Sequence, residues 1–250
     1  MAFAHRGGAA QGDENTEQAF ARAVAAGYRY VETDVHATRD GVAVVMHDDT
    51  LDRMTGVQGR VGELSYPDLA SIRVAGAAAI PTLGEVLEAW PGIKFNIDIK
   101  ADDAVAPTID AVVRAGAQAR VLLASFSDAR LRVVRTRLKV ATSMAQGEVT
   151  RLWLASRLGL RVKVPESVVA VQVPVRHGRL RVVDRRLITL AHRLGLQVHV
   201  WTIDDPDEMA GLLDLGVDGI MTDRIEVLRD VLTTRGSWPT DRPPDPDHAA

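Results

Sequence analysis

Apolar and polar positions along this chain alternate with two periods, and the switches between them divide it into elements. Residues 2–4 form a short apolar run that passes straight into His5-Arg6-Gly7-Gly8. Residues 17–26 place Phe20 and Val24 four apart on an Ala-rich background, the spacing of an amphipathic helix, with Asn15 or Thr16 as N-cap and Gly27 as its stop. A strand is predicted over 28–37, followed by a turn at Arg39-Asp40-Gly41 and a second apolar run over 42–46. Residues 49–80 lose any clear period. They read as an irregular excursion with one helical turn at 66–72, longer than an ordinary connection and so a candidate lid. A short helix over 82–89 starts at Thr82.

Residues 93–100, IKFNIDIK, alternate strictly, with Asn96, Asp98 and Lys100 on one face and Phe95, Ile97 and Ile99 on the other. In a sheet covered outside by helices, such a polar face belongs in a site. From there the rhythm is regular. Strands are predicted at 121–126, 140–145, 168–175, 197–202 and 219–222, and helices at 103–115, 128–138, 148–158, 184–194, 206–213 and 225–232. Counting 2–4 as the first, eight strands interleaved with helices predict a (β/α)8 TIM barrel with a short insertion after strand two. The main rival, an open doubly wound sheet, lacks its Gly-x-Gly-x-x-Gly turn. A single barrel domain is expected over residues 1–233, with the proline-rich stretch 234–250 as a disordered tail.

Composition narrows the function classes. The 250 residues include 46% hydrophobic and 25% charged positions, as in ordinary globular proteins, and the net charge is −3 with no basic run, which argues against nucleic acid as a partner. There is no cysteine, so a metal would have to be held by oxygen and nitrogen. No apolar run reaches the roughly 18 residues of a membrane span, and no export signal is read at the N-terminus, so a cytoplasmic protein is expected. Composition leaves the oligomeric state open.

The candidate chemistry lies at strand ends. Glu32, Asp34 and His36 are two apart on strand two, so alternate side chains aim them one way. His5-Arg6 follow strand one, His47-Asp48 follow the run at 42–46, Asp98 and Lys100 sit on strand three, Ser125 on strand four and Trp201 on strand seven. Taken singly, each has a plain structural explanation, barrel packing for Trp201 and His36 included. Together, carboxylates, histidines and cations on neighbouring strand ends would oppose one another unless a shared ligand held them. These types suit phosphoester cleavage: Glu32, Asp34 and Asp98 as hard oxygen ligands for Mg²⁺ or Ca²⁺, Arg6 and Lys100 neutralising phosphate oxygens, and His5 with His47 as an acid–base pair.

The ordered motifs His5-Arg6-Gly7, Glu14-Asn15-Thr16, Glu32-Thr33-Asp34, His47-Asp48 with Leu51-Asp52-Arg53, Asn96-Ile97-Asp98-Ile99-Lys100 and Trp201-Thr202 with the run 216–223 resemble the glycerophosphodiester phosphodiesterases. The resemblance implies hydrolysis of glycerophosphodiesters to glycerol 3-phosphate and an alcohol, with a divalent metal. It adds Glu14 as a further site carboxylate, while Trp201 either stacks on the glycerol or alcohol moiety as a substrate-binding residue or packs within the barrel. The family's third-strand motif usually carries Glu where this chain has Asp98; spider-venom-type phospholipases D, similar barrels, use Asp there. Two alternatives remain from sequence: a lysophospholipid-cleaving phospholipase D-like enzyme, and a non-catalytic barrel that binds phosphodiesters. The paucity of apolar residues at 49–80 leans towards deacylated substrates.

Overall fold

The computed structural model describes residues 1–238. Eight parallel strands close on themselves: β1 (Ala2–Ala4), β2 (Tyr30–Ala37), β3 (Lys94–Ile99), β4 (Val121–Ala124), β5 (Ala141–Ser143), β6 (Val168–Val173), β7 (Gln197–Val200) and β8 (Gly219–Thr222). Each pairs with the next, and β1 pairs with both β2 and β8. The helices α1 (Glu17–Ala25), α2 (Leu83–Ala89), α3 (Val105–Arg114), α4 (Asp128–Arg137), α5 (Gln146–Leu158), α6 (Arg185–Arg193), α7 (Pro206–Leu215) and α8 (Ile225–Thr234) alternate with the strands. The expected barrel is therefore present, with six of the eight strands one or two residues shorter at an end than expected.

Local chemistry sets the helix starts. The Thr16 hydroxyl accepts from the Ala19 N–H at 3.2 Å, and Thr82 and Glu85 exchange side-chain and backbone bonds in a capping box. Ser127, Asp184 and Asp205 cap α4, α6 and α7 in the same way. Between strands and helices lies one continuous apolar layer. In it Phe20 is fully buried and meets Trp90 and Phe95 edge-on at 5.7 and 6.1 Å. Truncating a ring so enclosed typically costs about 3–5 kcal/mol.

The segment after β2 differs from its sequence reading. The apolar run at 42–46 returns as a strand, Ala43–Val45, antiparallel to β2, with Val35 opposite Val45. Residues 49–80 form a small packed unit instead of an irregular excursion. Short helices at Asp52–Thr55 and Tyr66–Leu69 and a hairpin of Arg73–Val74 with Ala78–Ala79 enclose Leu51, Val61, Leu69, Val74 and Ile80. These residues are spaced too irregularly to show a period, yet they suffice to close a satellite core over Val44 and Met46. A second unforeseen hairpin, Arg176–His177 with Leu180–Arg181, follows β6.

The tail expected from Thr234 does not start there. Thr234 closes α8, and Trp238 packs edge-on against the buried Tyr28 at 5.1 Å, while the rest of the expected tail, 239–250, lies outside the described residues. Among the described residues no helix is long and apolar enough to cross a membrane.

Candidate active site

At the carboxyl ends of the strands the barrel opens into a cavity of about 490 Å³. His5, Arg6, Glu32, Asp34, Asp98 and Lys100 line one side of it, with His47 beside them, and Trp201 stands on the other. The sequence thus picked out residues that do meet, and the register explains why. In the β2–β3 ladder Glu32 is level with Asn96 and Asp34 with Asp98, so the two alternating polar faces lie side by side inside the barrel.

His5 and Arg6 reach the cavity because the chain turns sharply after β1. Arg6 has φ 51° and Gly7 φ 82°, and a Cβ on Gly7 would stand 2.8 Å from the Ala19 side chain, so the turn is pressed onto α1. His47 arrives by another route. The hairpin strand runs back along β2, the Met46 N–H donates to the Asp34 carbonyl at 3.0 Å, and the next side chain stands beside the carboxylates.

Each histidine has a carboxylate partner. His5 Nδ1 lies 2.7 Å from Asp223 Oδ1 and its Nε2 lies 3.7 Å from Glu32. Burial opposes a charge on His5, but Glu32 and Asp223 outweigh it and raise its pKa above the usual imidazole value. His47 Nδ1 lies 2.6 Å from Asp48 Oδ1. Asp48 in turn accepts from Arg53 Nε at 2.6 Å, and the Arg53 hydrogen bond overrides partial burial to hold its carboxyl down at about 2.

The carboxylates and cations between the histidines are interlocked. Lys100 Nζ is 2.9 Å from Asp34 Oδ1 and 2.9 Å from Asp98 Oδ2. Arg6 Nε stands 3.2 Å from Asp34 Oδ2, which also accepts from Asn15 Nδ2 at 3.0 Å, and the Arg6 backbone N–H donates to Glu32 Oε2 at 3.1 Å. Burial would raise the pKa of Asp34, yet Lys100 and Arg6 keep it below the carboxylate range; burial and Asp34 together push Glu32 up. Lys100, though itself buried, is held more basic by Asp34 and Asp98.

Asp98 Oδ1 is buried with no hydrogen-bond partner, a costly state for a carboxylate oxygen and one that a further ligand would relieve. Three carboxylates offer the all-oxygen donors that Mg²⁺ and Ca²⁺ take, so the residues fit such an ion in kind. As they stand the carboxylates grip Lys100 and Arg6 instead of closing on one point, and among the described residues no three acidic or histidine side chains are grouped closely enough to hold a metal.

Glu14 and His36 stand outside the lining of this cavity. Glu14 does not line the cavity: its oxygens accept from Arg6 and, by two bonds, from Arg53 at 3.0 and 2.6 Å, so it braces the cations from behind. His36, for which the sequence favoured structural packing over a place in the site, donates its Nε2–H to the His47 carbonyl oxygen at 3.0 Å and lines a neighbouring cleft with Asp49 and Arg130. Asp223, Asn15 and Arg53 all lay within the quoted motifs, but nothing local tied Asp223 to a histidine 218 positions earlier.

Residues 5–227 match the model of the glycerophosphoryl diester phosphodiesterase family. The chain is 42% identical over 244 residues to "Probable glycerophosphodiester phosphodiesterase 2" of Mycobacterium tuberculosis, covering 95% of this chain and 92% of that protein. It is 30% identical to the glycerophosphodiester phosphodiesterase of Caldanaerobacter subterraneus subsp. tengcongensis, covering 94% and 99%. A crystal structure of a Silicibacter pomeroyi protein assigned to the glycerophosphoryl diester phosphodiesterases superposes with a TM-score of 0.78 at 26% identity over 95% of both chains. With its motifs in order and its barrel shared, the chain belongs to the glycerophosphoryl diester phosphodiesterase family.

Proposed function

We propose that this chain acts as a cytoplasmic, cation-dependent glycerophosphodiester phosphodiesterase that releases glycerol 3-phosphate and an alcohol. The observation that carries the reading is a pair of imidazoles, each set on a carboxylate, flanking one cavity whose wall holds three carboxylates and two cations. Arg6 and Lys100 neutralise the non-bridging phosphate oxygens as charge builds on them. Trp201 covers the apolar side of the bound ester. Glu32, Asp34 and Asp98 would hold a divalent cation, Mg²⁺ or Ca²⁺, which would supply Lewis acidity and a template for the phosphate.

His5 and His47 divide the proton traffic. One imidazole takes the proton of the substrate's glycerol 2-hydroxyl as that oxygen bonds to phosphorus. The other gives a proton to the alcohol oxygen as its bond to phosphorus breaks, leaving a cyclic glycerol phosphate. Water then opens the ring with the roles reversed, and both histidines return to their starting states.

The test couples glycerol 3-phosphate release from glycerophosphoethanolamine to glycerol-3-phosphate dehydrogenase, with and without EDTA. Release that stops with EDTA and returns with Mg²⁺ or Ca²⁺ supports the assignment. A purified chain that binds the diester but never releases product is instead a non-catalytic phosphodiester-binding barrel.

A further inference from the structure

Charge is spread unevenly over the chain. Residues 130–193, which run from α4 through α6, hold 15 of its 30 lysines and arginines but only three of its 33 aspartates and glutamates. Of those three, Glu148 is paired with Arg135 at 2.7 Å and Asp184 with Arg157 at 2.8 Å, which leaves Glu166. The fold gathers a group of the remaining cations at the end of the barrel opposite the cavity, in the connections that lead from helices back to strands. Arg137 and Lys139 stand exposed ahead of β5, Arg161 and Lys163 ahead of β6 and Arg193 ahead of β7, and no carboxylate among the described residues pairs with any of them. These connections are neighbours, since β5, β6 and β7 are adjacent and the Thr142 N–H donates to the Ser167 carbonyl at 2.8 Å.

Leucines stand among the cations. Leu154 and Leu158, four apart on α5, are 44% and 65% exposed, and Leu160 just past the helix is 56% exposed. Leu152 and Ala155 already make the inward face of α5, so the outward leucines are surplus to the barrel core. Beyond Gly159 the chain alternates: Val162 and Val164 pack on the core, while Arg161 and Lys163 stay exposed beside Leu160. Cations in the last turn of a helix serve its dipole, and that accounts for Arg137 and Arg193. Lys139, Arg161 and Lys163 lie outside the helices, and no dipole calls for three protruding leucines.

We infer that this end of the barrel docks on an anionic lipid surface, with Leu154, Leu158 and Leu160 entering the interface and the cations around them meeting lipid phosphates. The inference does not rest on the phosphodiesterase reading, and it leaves the cavity turned towards water. Charge decides against a second copy of the chain, because a two-fold contact would set each cationic patch on its twin. Leucine decides against nucleic acid, whose phosphates would satisfy the arginines but whose bases stack on aromatic rings. A lipid surface answers both.

Flotation of the full chain with vesicles of phosphatidylcholine alone, and of equal parts phosphatidylcholine and phosphatidylglycerol, tests this at low and high salt. Partition onto the mixed vesicles should be roughly tenfold or more the stronger, and should fall steeply with salt. Leu154→Asn with Leu158→Asn, and separately Arg161→Glu with Lys163→Glu, should each weaken it by about tenfold. The circular dichroism spectrum and glycerol 3-phosphate release from a soluble diester should stay at the wild-type level in both, and the leucine pair should leave the salt dependence unchanged. No preference for the mixed vesicles, or a preference that the leucine pair leaves intact, would overturn the inference. A chain that ignores the mixed vesicles but binds duplex DNA or a second copy through Arg161 and Lys163 would overturn it too.

Discussion

His5, at the end of the first strand, and Asp223, just past the last, are joined by a 2.7 Å contact across the seam where the barrel closes. The Asp223 carboxylate fixes which ring nitrogen of His5 faces it and leaves Nε2 turned towards Glu32 and the cavity. Asp223→Asn should therefore lower kcat by about one to two decades while leaving KM within a few-fold, because the imidazole stays in place and loses its bias. His5→Ala and His47→Ala should each cost roughly two to four decades. Steady-state kinetics with glycerophosphoethanolamine, beside circular dichroism for the fold, checks all three.

Arg53 ties the two halves of the catalytic array together. Its guanidinium gives one bond to Asp48, the partner of His47, and two to Glu14, the partner of Arg6. Arg53→Ala should lower kcat/KM by about tenfold or more, and Arg53→Lys should recover only part, since one ammonium cannot serve both carboxylates with the same fork. Combined with Glu14→Gln, the loss should be clearly less than the product of the single losses, because both changes cut the same link. Full additivity would show that the bridge does not transmit.

How far the sequence led depends on the kind of signal. The β2 and β3 faces were legible because a period of two in Glu32, Asp34, Asn96 and Asp98 survives any detail of the fold. The helix starts at Thr16 and Thr82 were legible because a cap is a local bond. The satellite core around Leu51, Val61 and Leu69 was not, because it is assembled from turns whose apolar residues meet only after folding. The Asp223 partnership and the demotion of Glu14 to a brace depend on which strands become neighbours and how side chains share guanidinium groups, and no spacing encodes either.

Asp98 is the carboxylate with an unsatisfied buried oxygen, so its chemistry is the most informative of the three. Asp98→Asn keeps the size and removes the charge. It should cut activity by about two decades and raise the cation concentration needed for half-maximal activity by tenfold or more. Asp98→Glu restores the residue usual in the family and should retain activity within about tenfold. A cation titration of each variant separates a lost ligand from a lost fold, and an unchanged cation requirement in Asp98→Asn would remove Asp98 from the ligand set.

His199, buried inside the barrel below the site, sets an acid limit on stability. Its Nδ1 lies 3.2 Å from Gln172 Nε2, which also donates to Asn96 Oδ1 at 2.8 Å, and its Nε2 lies 3.2 Å from Gln197 Oε1. A Cβ on Gly219 would stand 2.8 Å from the ring, so the imidazole packs directly on the β8 backbone there. Burial, with the N-terminal ammonium adding to it, lowers the pKa of His199 to about 3 from an ordinary value of 6.5. Between those two values the unfolded chain binds a proton there and the folded chain does not. The neutral ring's contribution is thus fully present above pH 6.5 and is lost as the pH falls towards 3, by at most about 1.4 kcal/mol per pH unit. His199→Gln keeps a polar group within reach of Gln172 but carries no titratable proton. Urea unfolding at neutral pH should find the variant less stable by about 1–3 kcal/mol through lost packing. At about pH 4.5 the gap should narrow or reverse, because only the wild type pays the cost of keeping its imidazole neutral. Parallel stability curves for the two proteins across that interval would mean that the imidazole titrates normally in the folded state and that its burial carries no such penalty.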